Sequence, residues 1–123
     1  MSRILAADDS ASMRQMVTFT LRGAGFDVTE AVDGVDALKK AKAEAFDLVL
    51  SDVNMPNMDG LDLLLALKKK KHTQRIGFIL MSGQPDANIN DLGKRIGMNN
   101  FIKKPFSDME MKRCLEAVTG PLT

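Results

Sequence analysis

The sequence predicts an α/β fold in which a doubly wound, five-stranded parallel sheet carries helices on both faces. Two observations support this fold class. Short apolar runs alternate with helical patterns along the whole chain, and the runs at residues 48–50 and 78–81 are continuously apolar. Continuous apolar runs are typical of central parallel strands, because helices cover such strands on both faces. The alternation itself implies a parallel sheet with right-handed crossovers.

Five strands and five helices in strict alternation account for residues 1–123, which we interpret as a single domain. The strands are predicted at residues 4–7, 26–31, 48–51, 78–81 and 101–103. Apolar residues three and four positions apart predict the helices, and we expect the methionines among them to fill the core. These stripes are Met13, Met16, Val17 and Leu21; Val35, Leu38 and Ala41; Leu61, Leu64 and Leu65; Ile89, Leu92 and Ile96; and Met111, Cys114, Leu115 and Val118.

Helix boundaries follow from the residues that flank these stripes. Ser12 with Gln15, and Ser107 with Glu110, have the spacing of capping boxes and are predicted to start the first and fifth helices. Asp33 is a suitable N-cap for the second helix. Glycines predict the ends of the first and fourth helices. These glycines are Gly23, Gly25 and Gly97.

Composition excludes several classes of protein. The chain is 45% hydrophobic and 27% charged, as is usual for a globular domain, and its net charge of +1 argues against a nucleic-acid partner. No apolar run approaches the roughly 18 residues of a membrane span, and no leader pattern opens the chain. Cys114 is the only cysteine and cannot form an internal disulfide. We therefore expect a cytoplasmic monomer with no membrane partner.

The charge is unevenly distributed. Residues 1–60 hold ten acidic and six basic residues, whereas residues 61–123 hold six acidic and eleven basic ones. Four of those eleven form the lysine run at 68–71, which we interpret as a solvated helix end. We interpret His72 as a surface imidazole and Cys114 as a core thiol.

Polar side chains stand where the predicted strands end. Asp8 and Asp9 follow the first strand, Asp52 follows the third, Ser82 ends the fourth and Lys104 follows the fifth. The carboxyl ends of parallel strands form one edge of the sheet, where ligands bind in such folds. A single aspartate there would most simply cap a helix, but five converging polar groups favour a functional site.

The electrostatics of such a cluster indicate what it binds. Two carboxylates about 4 Å apart repel by roughly 4 kcal/mol at an effective dielectric near 20. Three of them need counter-charge, and Lys104 supplies only one. Mg²⁺ prefers a site of few carboxylates, and beside a carboxylate it makes phosphoryl transfer to that group feasible.

Four segments resemble the receiver domains of response regulators. They are AADDS at residues 6–10, LSDVNMPNMDG at 50–60, MSG at 81–83 and KKPF at 103–106. The resemblance covers nearly the whole chain, and the first sixty residues are most similar to stand-alone chemotaxis regulators of the CheY kind. It implies the flavodoxin-like strand order 2-1-3-4-5.

The resemblance also implies roles for the clustered residues. Asp52 would accept a phosphoryl group from a histidine kinase and would contribute to the Mg²⁺ site. Asp9 would bind the metal directly, Asp8 through water and Asn54 through its main-chain carbonyl. Lys104 would pair with a phosphoryl oxygen.

Other residues of the resemblance concern switching. Ser82 would hydrogen-bond a phosphoryl oxygen and draw Phe101 inward, although Phe101 is equally well read as a plain core aromatic. The Lys104–Pro105 peptide bond is implied to be cis. Gln84 and Pro85 depart from the chemotaxis pattern, which affects the expected lifetime of the phosphorylated form.

Output is expected through protein contact, because too few residues follow the last predicted helix for an output domain. The flagellar motor switch is the expected target, with a phosphate sink or relay intermediate as the alternative inside the family. The expected partner face is basic. It consists of Lys94, Arg95, Lys103, Lys112 and Arg113.

Two other classes of protein fit less well. Phosphatases of the haloacid-dehalogenase type need a second aspartate two positions after the first, as general acid, and that position is Asn54. A flavin carrier of similar fold is disfavoured, because an acidic pocket repels the flavin phosphate. We therefore expect a signalling domain that assists only its own phosphorylation and dephosphorylation rather than an enzyme.

Overall fold

Strands and helices alternate throughout the computed structural model, which describes residues 3–84, 86–104 and 106–119. Residue 119 is described for its backbone only. The strands are β1 (Arg3–Ala7), β2 (Asp27–Ala31), β3 (Leu48–Asp52), β4 (Gly77–Ser82) and β5 (Asn100–Lys103). The helices are α1 (Ala11–Gly23), α2 (Gly34–Ala43), α3 (Gly60–Lys68), α4 (Ala87–Ile96) and α5 (Asp108–Thr119). Every predicted strand is confirmed, with ends that move by one residue.

The sheet is parallel and has the order β2-β1-β3-β4-β5. The predicted doubly wound fold and its strand order are therefore confirmed. β1 lies between β2 and β3, so the chain reverses its direction of winding beside β1. The carboxyl ends of β1 and β3 are neighbours, since Ala7 pairs with Ser51 in the register. This is the switch point at which doubly wound folds bind ligands.

Two hydrophobic cores cover the two faces of the sheet. One contains residues of α2 and α3 together with Leu5, Val49 and Leu80. The other contains residues of α1 and α5 together with Leu50 and Met81. Successive residues of a strand point to opposite faces, so Leu80 and Met81 serve different cores. Continuously apolar strands are needed because both faces are buried.

The helices bury a narrower arc than their sequence stripes predict. Met16 and Met109 are exposed, so the prediction that the methionines fill the core was wrong for these two. Val35, Leu65 and Leu92 of the predicted stripes are also exposed. The cause is that a helix lying on a sheet turns only one side to it. In α2 and α3 the buried positions are instead the following ones: Gly34, Ala37, Ala41, Gly60, Leu63, Leu64 and Leu67.

Most of the predicted helix ends are confirmed. Ser107 and Glu110 form a reciprocal capping box, with backbone-to-side-chain distances of 3.0 and 3.1 Å. Asp33 caps α2 by accepting a hydrogen bond from the Asp36 amide at 2.8 Å. Gly25 and Gly97 have φ angles of +95° and +126° after α1 and α4, a region that favours glycine.

The predicted start of the first helix was wrong. Ser10, not Ser12, is the N-cap of α1, and its hydroxyl accepts a hydrogen bond from the Met13 amide at 3.4 Å. The Asp8 carboxylate accepts a hydrogen bond from the Ser10 amide at 2.9 Å, which fixes the turn before the helix. The helix therefore begins as soon as the chain leaves the acidic edge of the sheet.

The interpretations of His72 as a surface imidazole and of Cys114 as a core thiol are confirmed. The lysine run is exposed at residues 69–71, whereas Lys68 is half-buried and donates a hydrogen bond to the Gln74 carbonyl at 3.0 Å. Burial raises the pKa of the Cys114 thiol to about 11.

Among the helices of the described ranges, none combines the length and apolarity that crossing a membrane requires.

Candidate functional site

Three carboxylates meet where β1 and β3 end. Asp8 and Asp9 directly follow β1, and Asp52 is the last residue of β3. One oxygen atom from each of the three lies within 4.8 Å of the others. Asp8 is 1% exposed and Asp52 is 9% exposed, whereas Asp9 faces solvent. The cluster is therefore closed on the side of the sheet and open on the side of Asp9.

Lys104 reaches the same cluster from the end of β5. Its Nζ lies 3.0 Å from Asp8 Oδ2 and 3.3 Å from Asp52 Oδ2. The Lys104 amide donates a hydrogen bond to the Ser82 carbonyl at 2.8 Å, which continues the alignment of β5 beside β4. The ammonium thus bridges two of the three carboxylates, and the four groups together keep a formal charge of −2.

Burial raises the pKa of Asp52 above its ordinary value of 3.8. The Lys104 ammonium acts in the opposite direction, and the carboxylates of Asp8 and Asp9 add to the rise. Burial is the main cause of the rise, and the count of three carboxylates against one ammonium separately leaves a net negative formal charge at this site. A hard cation with oxygen ligands would complete the balance, and three carboxylate oxygens at this spacing suit a small divalent ion.

A cavity of about 360 Å³ opens beside the exposed carboxylate. Its lining includes Asp9, Asn54 and Asp59. Asn54 is exposed on the loop after β3, so this predicted residue lies next to the cluster. Asp59 was not predicted as a site residue. It caps α3 by accepting a hydrogen bond from the Asp62 amide at 2.8 Å, and an aspartate before a glycine and an apolar run is a sequence signal for that role.

Arg14 supports the cluster from α1 and was also missed. Its guanidinium donates a hydrogen bond to the main-chain carbonyl of Asp8 at 2.7 Å and pairs with Glu30 at 3.1 Å. These contacts hold the end of β1 and hence the orientation of Asp8. No sequence signal identifies this role, because it depends on the packing of α1 against β2.

Ser82 is buried at the end of β4 but does not bond to the acidic cluster. Its hydroxyl donates to the Gln84 carbonyl at 3.0 Å and accepts from the Gln84 amide at 3.1 Å. The hydroxyl proton must therefore leave the Gln84 carbonyl before it can be donated to a group held by Asp52. Pro85 lies outside the described residues.

Phe101 is half-buried on β5 and packs against the core that contains α3. Both interpretations of its role stay predictions. The predicted cis bond before Pro105 lies outside the described residues. The five basic residues of the predicted partner face are all exposed: Lys94, Arg95, Lys103, Lys112 and Arg113.

Comparison with known proteins decides what kind of domain carries this site. The chain matches the family described as "Response regulator receiver domain" over residues 4–116. It belongs to that family. The resemblance noted in the sequence is thereby confirmed. Membership implies that the receiver domain has a histidine kinase as its partner and a protein target downstream.

Two proteins similar to this receiver domain are chemotaxis proteins. It is 35% identical over 121 residues to a Rhizobium etli protein named "Probable chemotaxis protein CheY", covering 98% of this chain and 94% of that protein. The solved structure of Vibrio cholerae chemotaxis protein CheY4 matches with a TM-score of 0.91 and 36% identity, covering 96% of this chain and 98% of that one.

A third similar protein is the receiver domain of sensor histidine kinase PA1611 from Pseudomonas aeruginosa. Its solved structure matches with a TM-score of 0.88 and 25% identity, covering 98% of each chain. That structure holds a magnesium ion coordinated in its active site cleft. The acidic cluster of the present receiver domain has the ligand chemistry for such an ion.

Proposed function

We propose that this chain is a cytoplasmic response regulator of a two-component chemotaxis system. It accepts a phosphoryl group on Asp52 from a histidine kinase and then switches its binding to a protein target such as the flagellar motor switch. The observation that carries the proposal is the bridging of Asp8 and Asp52 by Lys104 at the switch point of a receiver domain.

Asp52 is the acceptor that best fits this geometry. It lies at the end of the central strand β3, between the Asp8 and Asp9 pair and the ammonium of Lys104. The Lys104 Nζ is 3.3 Å from Asp52 Oδ2, so it is placed to neutralise negative charge that arrives on that carboxyl. Asp8 is 1% exposed, against 9% for Asp52, and this deeper burial makes it a poorer acceptor.

The residues present fit a Mg²⁺ ion. Asp9 and Asp52 would hold it directly, Asp8 through water, and the main-chain carbonyl of Asn54 would add an oxygen ligand from the cavity wall. When bound, the ion supplies charge neutralisation for an approaching phosphoryl group. The open side at Asp9 leaves room for the water ligands that Mg²⁺ retains.

Switching requires a second group to report the phosphorylated state. Among its described partners the Ser82 hydroxyl is bonded only to the Gln84 backbone, so a phosphoryl oxygen can compete for its proton. The basic face of Lys94, Lys103 and Lys112 lies on the elements that follow this loop. We propose that this face binds an acidic target. Phe101 on β5 pairs with Leu80 on β4 in the register, and so lies between the Ser82 loop and the basic face.

A phosphate sink remains the second candidate, because the same acceptor chemistry serves a domain that drains a kinase without an output. The two functions differ in one measurable property. A regulator binds its target more tightly when it carries a stable phosphoryl mimic, whereas a sink has no such target.

Phosphorylation with a small donor tests the acceptor assignment. With acetyl phosphate and Mg²⁺, we expect the intact mass of the chain to rise by one phosphoryl group, and removal of Mg²⁺ with a chelator should prevent the increase. The increase should be lost in Asp52→Asn and retained in Asp91→Asn, which changes an exposed aspartate on α4. A phosphoryl group that persists in Asp52→Asn would contradict the proposal.

A further inference from the structure

A groove along α2 and α3 has no role in the proposed phosphorylation. One cavity of about 390 Å³ lies between the two helices, and a second of about 390 Å³ is lined by α2 alone; the two share Leu38 and Lys42 in their linings. We call it the α2–α3 groove. Its apolar lining includes Val35 of α2 and Leu65 of α3. Both residues belong to the apolar stripes predicted from the sequence, and both are exposed in the fold. Large apolar side chains thus remain open to solvent inside a concave surface.

Lysines surround this apolar floor. Lys39 and Lys42 line it from α2, and Lys69 and Lys70 line it from the end of α3. Within the described ranges, none of these four lysines has an acidic partner at ion-pair distance, whereas their neighbour Lys40 pairs with Asp36 at 3.1 Å. Asp62 is the single acidic side chain in the lining of the two cavities. The groove therefore combines an apolar floor with an unneutralised basic rim.

We propose that the α2–α3 groove is a docking site for an acidic amphipathic segment of a partner protein. Large apolar side chains of the segment fill the two cavities, and its carboxylates lie against the lysines of the rim. The surface is separate from the basic face of α4, β5 and α5. The helix-in-groove mode of peptide recognition uses this combination of an apolar face and flanking charges.

The shape of the groove favours a peptide over a membrane or a nucleic acid. Each cavity falls in the usual size range of ligand pockets, roughly 300–1,000 Å³. A lipid surface would cover the rim without filling concave pockets. Among the side chains that line the groove there is no arginine and no aromatic ring, the groups that most often hold phosphates and bases.

The groove is also continuous with the loop beside the acidic cluster. Asn57 and Met58 line the groove, while Asn54 and Asp59 of the same loop line the cavity at Asp9. The side chain of Asn57 donates a hydrogen bond to the Asp33 carboxylate at 3.1 Å, which ties the loop to the start of α2. A bound segment therefore contacts the loop whose other side faces the candidate metal site.

A binding assay with synthetic peptides tests the proposal. The probe is a short, fluorescently labelled helical peptide with leucines on one face and glutamates flanking them. Two companion peptides carry lysines in place of the glutamates or the same composition in scrambled order. We expect the glutamate peptide to bind at least about tenfold more tightly than either companion, and its affinity to fall with added salt. Equal binding of the companions would overturn the proposal.

Variants locate the site. Lys42→Glu with Lys69→Glu, and separately Leu65→Ser, should each weaken binding of the glutamate peptide about tenfold or more. The control is Arg75→Glu, which reverses an exposed cation that belongs to neither basic surface and should leave affinity unchanged. Amide shifts in NMR spectra should map to α2, α3 and the loop at 54–59. Unchanged affinity in the groove variants would overturn the proposal. The proposal would also be overturned if the protein bound phosphatidylglycerol vesicles and did not bind the glutamate peptide.

Discussion

The two helices α3 and α4 lie on the same face of the sheet but are held very differently. α3 buries Gly60, Leu63, Leu64 and Leu67, whereas Gly93 is the single fully buried residue of α4. Each fully buried leucine contributes about 1.5–3 kcal/mol from apolar surface removed from water. α4 is therefore the helix that can be displaced at the lower free-energy cost.

The same contrast divides the acidic site. On the α3 side, the Gly60 amide donates a hydrogen bond to the Val53 carbonyl at 2.8 Å, directly after Asp52. On the α4 side, the strand end at Ser82 leads into a loop in which the Ser82 hydroxyl forms two hydrogen bonds with the Gln84 backbone and Asp86 caps α4. The proposed acceptor thus precedes a helix with several buried leucines, and the proposed reporter group precedes a helix with one buried residue. We expect a change of charge at Asp52 to alter the position of α4 before that of α3.

Truncating one leucine in each helix should give the largest difference. Leu64→Ala removes a side chain that is 0% exposed and should lower the free energy of unfolding by about 3 kcal/mol. Leu92→Ala removes one that is 47% exposed and should change it by less than about 0.5 kcal/mol. Denaturant unfolding followed by circular dichroism measures both. Similar losses in the two variants would mean that α4 is as firmly packed as α3.

A second test of the contrast adds a methyl group, instead of removing a side chain, at one glycine in each helix. A Cβ at Gly60 would meet the main-chain carbonyl oxygen of Asp52, which cannot move without the strand. A Cβ at Gly93 would meet the Met98 sulfur at 2.6 Å, the far end of a flexible side chain. We expect Gly60→Ala to cost about 2 kcal/mol and Gly93→Ala to stay within about 1 kcal/mol of the parent. Thermal unfolding of the two variants side by side provides the measurement, and equal costs would contradict the comparison.

The acidic edge could be predicted from the sequence because its position depends on topology alone. Once five strands alternate with five helices, residues such as Asp8, Asp52 and Lys104 must follow strand ends at one edge of a parallel sheet. The ranges of the strands were predicted within one residue for the same reason. The apolar runs end where the polar site residues begin.

Helix orientation could not be predicted with the same accuracy. Apolar residues three and four apart define a stripe, but α3 contains enough leucines that several stripes fit. The fold buries Leu63 and exposes Leu65, and the sequence alone does not distinguish them. Arg14 and Ser10 were missed because their contacts with Asp8 depend on where α1 begins. Tertiary packing decides each of these cases.

The smallest expected effect concerns the charge of Asp52 on the firmly packed side of the site. Because burial raises the pKa of Asp52, its ionisation destabilises the folded chain, and the attraction of Lys104 offsets only part of this cost. Asp52→Asn keeps the size of the side chain and removes the charge. In metal-free buffer near neutral pH it should raise the free energy of unfolding. The gain should fade as the pH falls towards 3.8, where the parent carboxyl is also protonated.

Added Mg²⁺ sharpens this last measurement. The parent should gain stability from the ion by mass action, and the asparagine variant, with one carboxylate fewer, should gain less. The difference between the two chains should therefore shrink or reverse as Mg²⁺ is raised. Asp91→Asn, an exposed aspartate on α4, should show neither the initial gain nor the dependence on Mg²⁺. A lower stability of Asp52→Asn in metal-free buffer would show that the attraction of Lys104 outweighs the combined cost of burial and of repulsion from Asp8 and Asp9, and the raised pKa assigned to Asp52 would then be wrong.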